Sequence, residues 1–440
     1  MAKYMNLRRN ISIVFIILFL SVLLPKVYAE TADELRQKIT ERNADIANLE
    51  KQILEYQKTL STLSSQKNTL ANSIKQLDIT AKKLALDIKL TQNKINATNL
   101  TIQDLSQEIG TTNDSIFVNQ DAIKKIVRSR NEIDSIPLVE SLAGEFTLTN
   151  VWRTVDASLS VQEKLGGHVV ALKDTKNVLE DKRTKMEKAQ KDLLVLKNQL
   201  SSQKKIVDQN NKDKQKLLKD TKNQESNYNA LLKISLARKI EFEKELFDFE
   251  SKLKFVLDPK SFASPQQGTF SWPVDNIRIT QFFGKTSVSG RLYASGTHGG
   301  VDFGVPIGTI IRAVGTGTVI ATGDTDLTCP GASYGKWVFI KYDNGLATVY
   351  GHLSLPTAQN NMRVKSGDVV GYSGNTGHST GPHLHVSMFV GSGISIQSFP
   401  SKTCGGRIYT MPVAAKAAYL DPMLYFPKYT GPTTSISQTD

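Results

Sequence analysis

The chain has 440 residues, enough for two or three domains, and a formal charge of +13. That charge suits nucleic acid or any anionic surface, and equally the solvated face of a long helical rod. Only Cys329 and Cys404 are present, and neither sits at a ligand spacing from a histidine, so neither is assigned to metal.

Met1 to Glu30 reads as an export signal. Lys3, Arg8 and Arg9 precede an apolar run from Ile11 to Leu24, and Val27-Tyr28-Ala29 forms a small-x-small cleavage site. The run is short of the roughly 20 residues a membrane span needs. Cleavage after Ala29 is expected, with an uncleaved anchor as the alternative. Export, to the periplasm or outer cell envelope, makes nucleic acid an unexpected partner and an acidic envelope the natural one. In that setting the two cysteines are expected to pair. On the chain-entropy model such a bridge stabilises by about 4 kcal/mol.

From Leu35 to Ile126 a heptad row runs almost unbroken, from Ile39, Ile46, Ile53 and Leu60 to Ile102, Ile109, Ile116 and Ile123. A second row three residues on carries Leu49, Tyr56, Leu63, Leu70, Leu77 and Leu84. Apolar spacing of 3–4 over so many heptads predicts a coiled coil. Lys67, Thr91, Thr98, Thr112 and Asn119 are polar faults in it. Asp134-Ser-Ile-Pro137, Gly144 and Gly166-Gly167 interrupt the pattern, and a second run follows from Leu165 through Leu172, Leu179, Met186, Leu193 and Leu200 to Leu232. Two arms with a broken middle, about 135–167, predict an antiparallel hairpin, with a parallel homodimer as the alternative. Short helices carrying Leu138, Leu142, Phe146 and Trp152 are expected at its tip, as a partner site or as local packing. His168 reads as structural. Phe242, Phe247, Phe249, Phe255 and Leu257 close the second arm, and Asp258-Pro259 ends it. The coil therefore spans 30–257, followed by a Ser/Pro/Gln/Gly linker over 258–268.

Beyond Thr269 short β-rich runs alternate with glycines: Ile277–Phe283, Thr309–Val314, Thr318–Thr322, Trp337–Tyr342, Leu346–Tyr350, Asp368–Tyr372 and His383–Phe389. The fold class is therefore multidomain, a coiled coil followed by a mainly antiparallel β domain over 269–428 and a tail over 429–440. The β region contains no glutamate and the chain has no His-Glu-x-x-His, which excludes a metalloprotease with a Glu base on that motif.

The chemistry centres on Gly374-Asn-Thr-Gly-His-Ser-Thr-Gly-Pro-His-Leu-His-Val-Ser387. On a strand His383, His385 and Ser387 share a face. Upstream, His298-Gly-Gly-Val-Asp302 places an imidazole and a carboxylate four apart, again on one face of a strand. Two imidazoles and a carboxylate leaving an open position is the usual make-up of a catalytic zinc site. His383, with an ordinary pKa near 6.5, suits a general base. His352, two residues from Tyr350 and expected on its side, could stabilise an oxyanion or protonate a leaving amine.

These residues carry a resemblance. Phe270-Ser-Trp-Pro273, Ile279-Thr-Gln-Phe-Phe-Gly284, His298-x-x-x-Asp302, Tyr350-Gly-His352-Leu, Gly374-Asn-Thr-Gly377, Gly381-Pro-His-Leu-His385 and Asp421-Pro-x-x-Tyr425 resemble, in order, the lysostaphin/LytM-type zinc metalloendopeptidases. The resemblance covers about 269–427. It implies zinc on His298, Asp302 and His385, His352 and His383 as the catalytic pair, and peptidoglycan peptides as substrate. Ser387 departs from the acidic residue common two after the last ligand, which puts the partner of a ligand histidine in doubt. Residues 324–333 and 392–407 look like insertions, and they hold the two cysteines. His378 has no role in the pattern and is expected to be exposed. The layout is similar to EnvC-like activators and PcsB-like division hydrolases, which implies release of the coil by a membrane transporter complex. EnvC-like activators have degenerate zinc sites; this chain keeps every ligand. A non-catalytic activator or scaffold, and a module that only binds wall, are the competing readings.

Overall fold

The computed structural model describes residues 31–64, 66, 68–134, 148–253, 255, 258–286, 289–292 and 295–431. The expected export signal, the first part of the expected tip (135–147) and the end of the tail lie outside them, while residues 148–167 of that tip belong to one long helix. Among the described residues no helix is long and apolar enough to cross a membrane.

Helices α1 (Ala32–Ser64), α2 (Leu70–Asp134), α3 (Leu148–Thr221) and α4 (Glu225–Lys252) come first. The long heptad row is not one helix. It breaks between Ser64 and Leu70, in a polar stretch where propensity is weakest. Thr69 caps the restart, its Oγ1 accepting from Asn72 N at 3.2 Å, and Gln76 Nε2 donates back to Leu63 O at 3.1 Å. The second arm also divides, at Lys222 and Asn223, both with positive φ (48° and 56°). Gly166 and Gly167, by contrast, do not break α3. An exposed glycine costs a helix only about 1 kcal/mol against alanine, and the long helix absorbs it.

The chain forms two compact units, Met1–Asp45 with Asn93–Leu196, and Ile46–Gln92 with Lys197–Asp440. In the first, α2 and α3 run antiparallel. Asn119 Oδ1 meets His168 Nδ1 at 3.0 Å, and Lys182 Nζ donates to Thr112 Oγ1 at 3.0 Å. In the second, the same sense is set by Gln199 Nε2 on Thr91 Oγ1 (3.4 Å) and Asn210 Nδ2 on Leu77 O (3.0 Å). Three of the polar residues that interrupt the heptads, Thr91, Thr112 and Asn119, thus pair across the arms and fix their register.

The second unit also holds the β domain, antiparallel throughout. Its main sheet runs β1 (Ile279–Gln281), β2 (Val301–Phe303), β9 (Leu384–Val390), β6 (Leu346–Pro356), β5 (Lys336–Tyr342), β4 (Gly317–Asp324) and β7 (Arg363–Val364). Off this path, β8 (Val369–Ser373) pairs β3 (Ile310–Arg312) and β6, and β12 (Tyr419–Leu420) pairs β9. Each β-rich run expected from sequence holds a strand. Phe303, Val338, Ile340, Tyr350, Val386 and Met388 form the buried core on one face. A separate hairpin, β10 (Ile394–Ser401) with β11 (Arg407–Ala414), fills the second expected insertion. The Cys329–Cys404 disulfide ties it to the loop after β4.

The aromatic residues at the end of the second arm pack on this domain. Phe242 of α4 is fully buried, 4.7 Å from the Tyr409 ring centroid, and Phe249 stacks on Phe399 at 4.5 Å. Cys329, Cys404, Met411 and Val413 complete that cluster. Leu84 of α2 and Ile206 of α3 pack separately on Tyr372 of β8.

Candidate active site

The register of β2, β9 and β6 assembles the site. Asp302 pairs with His385 across β2 and β9, and Gly351 pairs with His385 across β9 and β6. Directly opposed residues share a face, so Asp302 and His385 project together, away from the core that takes Val386 and Tyr350.

His298 reaches the same point by a different route. It is not on one strand with Asp302. It forms an isolated bridge to Gly284, and the chain bends through Gly299-Gly300 before β2 begins. A Cβ at Gly300 would lie 2.4 Å from Val386 O and 2.8 Å from the His385 ring. Only glycine lets His298 approach this closely.

Asp302 Oδ1 lies 2.8 Å from His385 Nδ1 and 3.3 Å from His298 Nε2, and the two nitrogens are 3.1 Å apart. Donor atoms of the three residues fall within 4.8 Å of one another, and all three residues are buried. Ligands at about 2.0–2.2 Å around a tetrahedral ion would be spaced roughly 3.3 Å apart. The donor set therefore fits a metal ion of that kind with little adjustment. The outer nitrogens are also committed: His298 Nδ1 lies 2.9 Å from Phe282 O, and His385 Nε2 lies 2.7 Å from Ser387 Oγ. Such partners fix the tautomer that aims the other nitrogen inward. Ser387 thus fills the place where an acidic partner was expected to be missed.

His352 and His383 complete the cluster, their ring centroids 4.6 Å apart. His383 precedes β9, with Nδ1 2.8 Å from Gly381 O and Nε2 3.6 Å from Asp302 Oδ1. His352 is not on Tyr350's side. Tyr350 pairs with Val386 and points into the core, where its hydroxyl meets Tyr342's at 2.8 Å. Alternation would send His352 the same way. Instead His352 takes φ 59°, uncommon for a side chain with a Cβ, and the strand slips register beyond it. Its ring swings to the His385 face, 5.7 Å from that ring, with Nδ1 2.8 Å from Thr376 O. Such backbone strain collects at functional sites.

The electrostatics agree with a site that holds positive charge. Burial pulls the Asp302 carboxyl upward, yet His298 and His383 outweigh it and hold the group well below the usual range. Burial, reinforced by His383 and His385, holds His352 well below 6.5, so it is neutral near pH 7.

A cleft of about 270 Å³ opens over these residues. His298, His385, His352, Tyr334 and Tyr419 line one side, and Glu243, Leu246, Phe247 and Glu250 of α4 line the other. His378 is not exposed as expected. Its side chain is 7% exposed, and Nδ1 lies 3.1 Å from Glu243 Oε1. Glu250 Oε1 accepts from the Tyr419 hydroxyl at 2.7 Å, and Lys416 Nζ stands 3.0 Å over the Phe247 ring. The spacing of aromatics in α4 was the only sequence signal for this cover.

Residues 296–396 match the model of peptidase family M23. The chain is similar to the DD-carboxypeptidase/endopeptidase Mpg of Neisseria meningitidis serogroup B (strain ATCC 13091 / M2091), 43% identical over 89 residues, which are 20% of this chain and 19% of that one. It is also similar to the peptidoglycan DD-endopeptidase ShyA of Vibrio cholerae serotype O1, 34% identical over 132 residues, 30% of this chain and 29% of that one. The match thus spans about a fifth to a third of these relatives' length. Among solved structures, the catalytic domain of lysostaphin from Staphylococcus simulans aligns with 34% of this chain and 91% of its own at 25% identity and a TM-score of 0.25. The matched segment contains all five clustered side chains, and the chain carries a peptidase family M23 domain.

Proposed function

We propose that this protein is an exported, zinc-dependent endopeptidase that hydrolyses peptide bonds in peptidoglycan stem peptides or cross-links. The convergence of His298, Asp302 and His385, with His352 and His383 beside them, is the observation that carries this reading. The relatives' names, with their DD-endopeptidase activity, supply the substrate class. Zinc is the metal that suits two imidazoles and one carboxylate with an open position. When bound, it would supply Lewis acidity for water and a scissile carbonyl. His298, Asp302 and His385 would hold it. His383 takes a proton at Nε2, since Nδ1 is directed at Gly381 O. His352, neutral and buried with its Nδ1–H directed at Thr376 O, presents a bare Nε2, which must take up a proton before it can pass one to developing charge or to the leaving amine.

Regulation by the helical arm belongs to the same reading. Glu243, Leu246, Phe247 and Glu250 of α4 stand where a peptide would lie, so the arm must move before substrate enters. Opening during wall remodelling or division, through a membrane transporter complex acting on the coil, is the corresponding proposal for a partner. The basic charge and the N-terminal segment support an anionic envelope as the location.

Purified full-length protein is expected to contain about one zinc per chain and to release peptide fragments from purified wall, slowly as isolated and faster once α4 is destabilised. A chelator should stop the release and added zinc restore it. His383→Ala should lower the rate about 10²–10⁴-fold while leaving zinc in place. Zinc-free protein, or a His383→Ala variant that supports cells as well as wild type, would leave the activator or scaffold reading in its stead.

A further inference from the structure

The β domain has no glutamate of its own after Thr269, yet three glutamates of α4 sit on its donors. Glu243 meets His378, Glu250 meets Tyr419, and Glu245 is held by the turn that joins β10 to β11. That last contact is the most complete. Glu245 Oε2 accepts from Ser401 Oγ at 2.8 Å and from Thr403 N at 3.3 Å, and Oε1 accepts from Lys402 N at 2.7 Å. Ser401 is fully buried.

The turn is built without Glu245. Gly406 N donates to Ser401 O at 2.7 Å, Gly405 N to Lys402 O at 3.1 Å, and Cys404 N to Ser401 Oγ at 3.3 Å. Gly405 and Gly406 take φ of 69° and 77°, and the next anchor is the disulfide at Cys404. When α4 leaves, two backbone N–H groups and a hydroxyl still converge on one point. Donors fixed in this way form a concave anion receptor. The hairpin lies on the far side of α4's Leu246, which both lines the cleft and packs into the hairpin's apolar cluster. The segment Glu243 to Glu250, which runs past the metal ligands, carries Glu243, Glu245, Asp248 and Glu250. It therefore resembles an acidic peptide in charge as well as in position.

We propose that the Ser401–Thr403 turn is a carboxylate subsite on the track that α4 occupies beside the cleft, taken by Glu245 while α4 is docked and by a carboxylate of the peptide substrate when α4 leaves. The proposal rests on the peptidase reading above and adds to it a preference for anionic peptides. It also explains why α4 and the substrate exclude each other, since they use the same donors.

The test uses full-length protein in which Glu245→Gln has loosened the turn's occupant. The probes are a wall pentapeptide with free carboxylates, its fully amidated counterpart, and sodium acetate. In Glu245→Gln protein the acidic peptide is expected to shift the amide resonances of Lys402 and Thr403, and the amidated peptide and acetate at equal concentration are not. Adding Ser401→Ala to Glu245→Gln should raise KM for the acidic peptide about tenfold, leave kcat within twofold, and leave KM for the amidated peptide unchanged. Unchanged KM for the acidic peptide, or equal amide shifts from all three probes, would overturn the subsite. Comparing the double variant with Glu245→Gln alone removes any effect on α4 docking. Ser401→Gly repeats the comparison should alanine disturb the turn. The amide shifts need no turnover, so they decide the subsite even if the peptidase reading fails.

Discussion

At the scale of single residues, the site depends on which nitrogen each imidazole turns inward. His385 holds Ser387 Oγ with Nε2 and presents Nδ1, whereas His298 holds Phe282 O with Nδ1 and presents Nε2. The Ser387 hydroxyl is in turn linked to Tyr334. Ser387→Ala leaves His385 in place but frees its ring to rotate. Zinc affinity is expected to fall about 10–100-fold, read by competition with a chromogenic chelator, with little loss in thermal stability. Equal zinc affinity in the variant would mean that packing alone orients the ring. His352 makes a related point. Its positive φ, not strand alternation, brings it to the site. The His-x-His and His-x-x-x-Asp spacings were legible in the sequence, although a bend at Gly299-Gly300 and not one continuous strand brings His298 to Asp302. The face of His352 was not, because a local departure from strand alternation decides it.

At the scale of elements, α4 is, on the proposed reading, the part whose energetics set access to the cleft. Phe242 and Leu246 are buried against the hairpin and Phe249 partly so, and full burial of such a side chain is worth roughly 1.5–3 kcal/mol. Glu250 works against part of this. Burial, chiefly, with Glu243 adding, pushes its carboxyl from 4.5 up to about 8, although Tyr419 and Lys416 oppose the shift. A raised carboxyl binds its proton more tightly in the docked state. That contribution to docking is complete below about pH 4.5 and is lost as pH rises through about 8. Proteolysis of α4 in full-length protein is therefore expected to speed up from pH 5 to 8.5. Glu250→Gln, a neutral stand-in for the docked form, should flatten that profile. A profile unchanged by Glu250→Gln would remove Glu250 from the control of docking.

At the scale of the whole molecule, one long-range covalent connection closes the β domain. The disulfide joins Cys329 to Cys404 across 75 residues, with Cα atoms 5.6 Å apart, and thereby fixes the hairpin on which α4 rests. Replacing both cysteines by serine should lower stability by about 4 kcal/mol on the chain-entropy model. Because the bridge lies under α4, release of the cleft is expected at a lower denaturant concentration than global unfolding. Coincident loss of both in a urea titration would show instead that hairpin and sheet unfold as one. The helical part has its own logic in each unit, where Asn119 with His168 and Thr91 with Gln199 pair polar side chains across antiparallel arms.

The sequence by itself determined the kinds of element and the β domain's place in the chain, and it marked five side chains as the candidate site. Those rest on heptad period, strand alternation and short spacings between histidine and aspartate, all of which are local. Only the tertiary structure decided where the heptad row breaks, that Gly166-Gly167 stays helical, that His378 is covered by Glu243, and that α4 crosses the cleft. A heptad records that a helix has an apolar face without recording what covers it. The partner of α4 lies some 150 residues away on the hairpin, at Ser401 and Thr403, and such pairing follows from packing and not from any period in the chain.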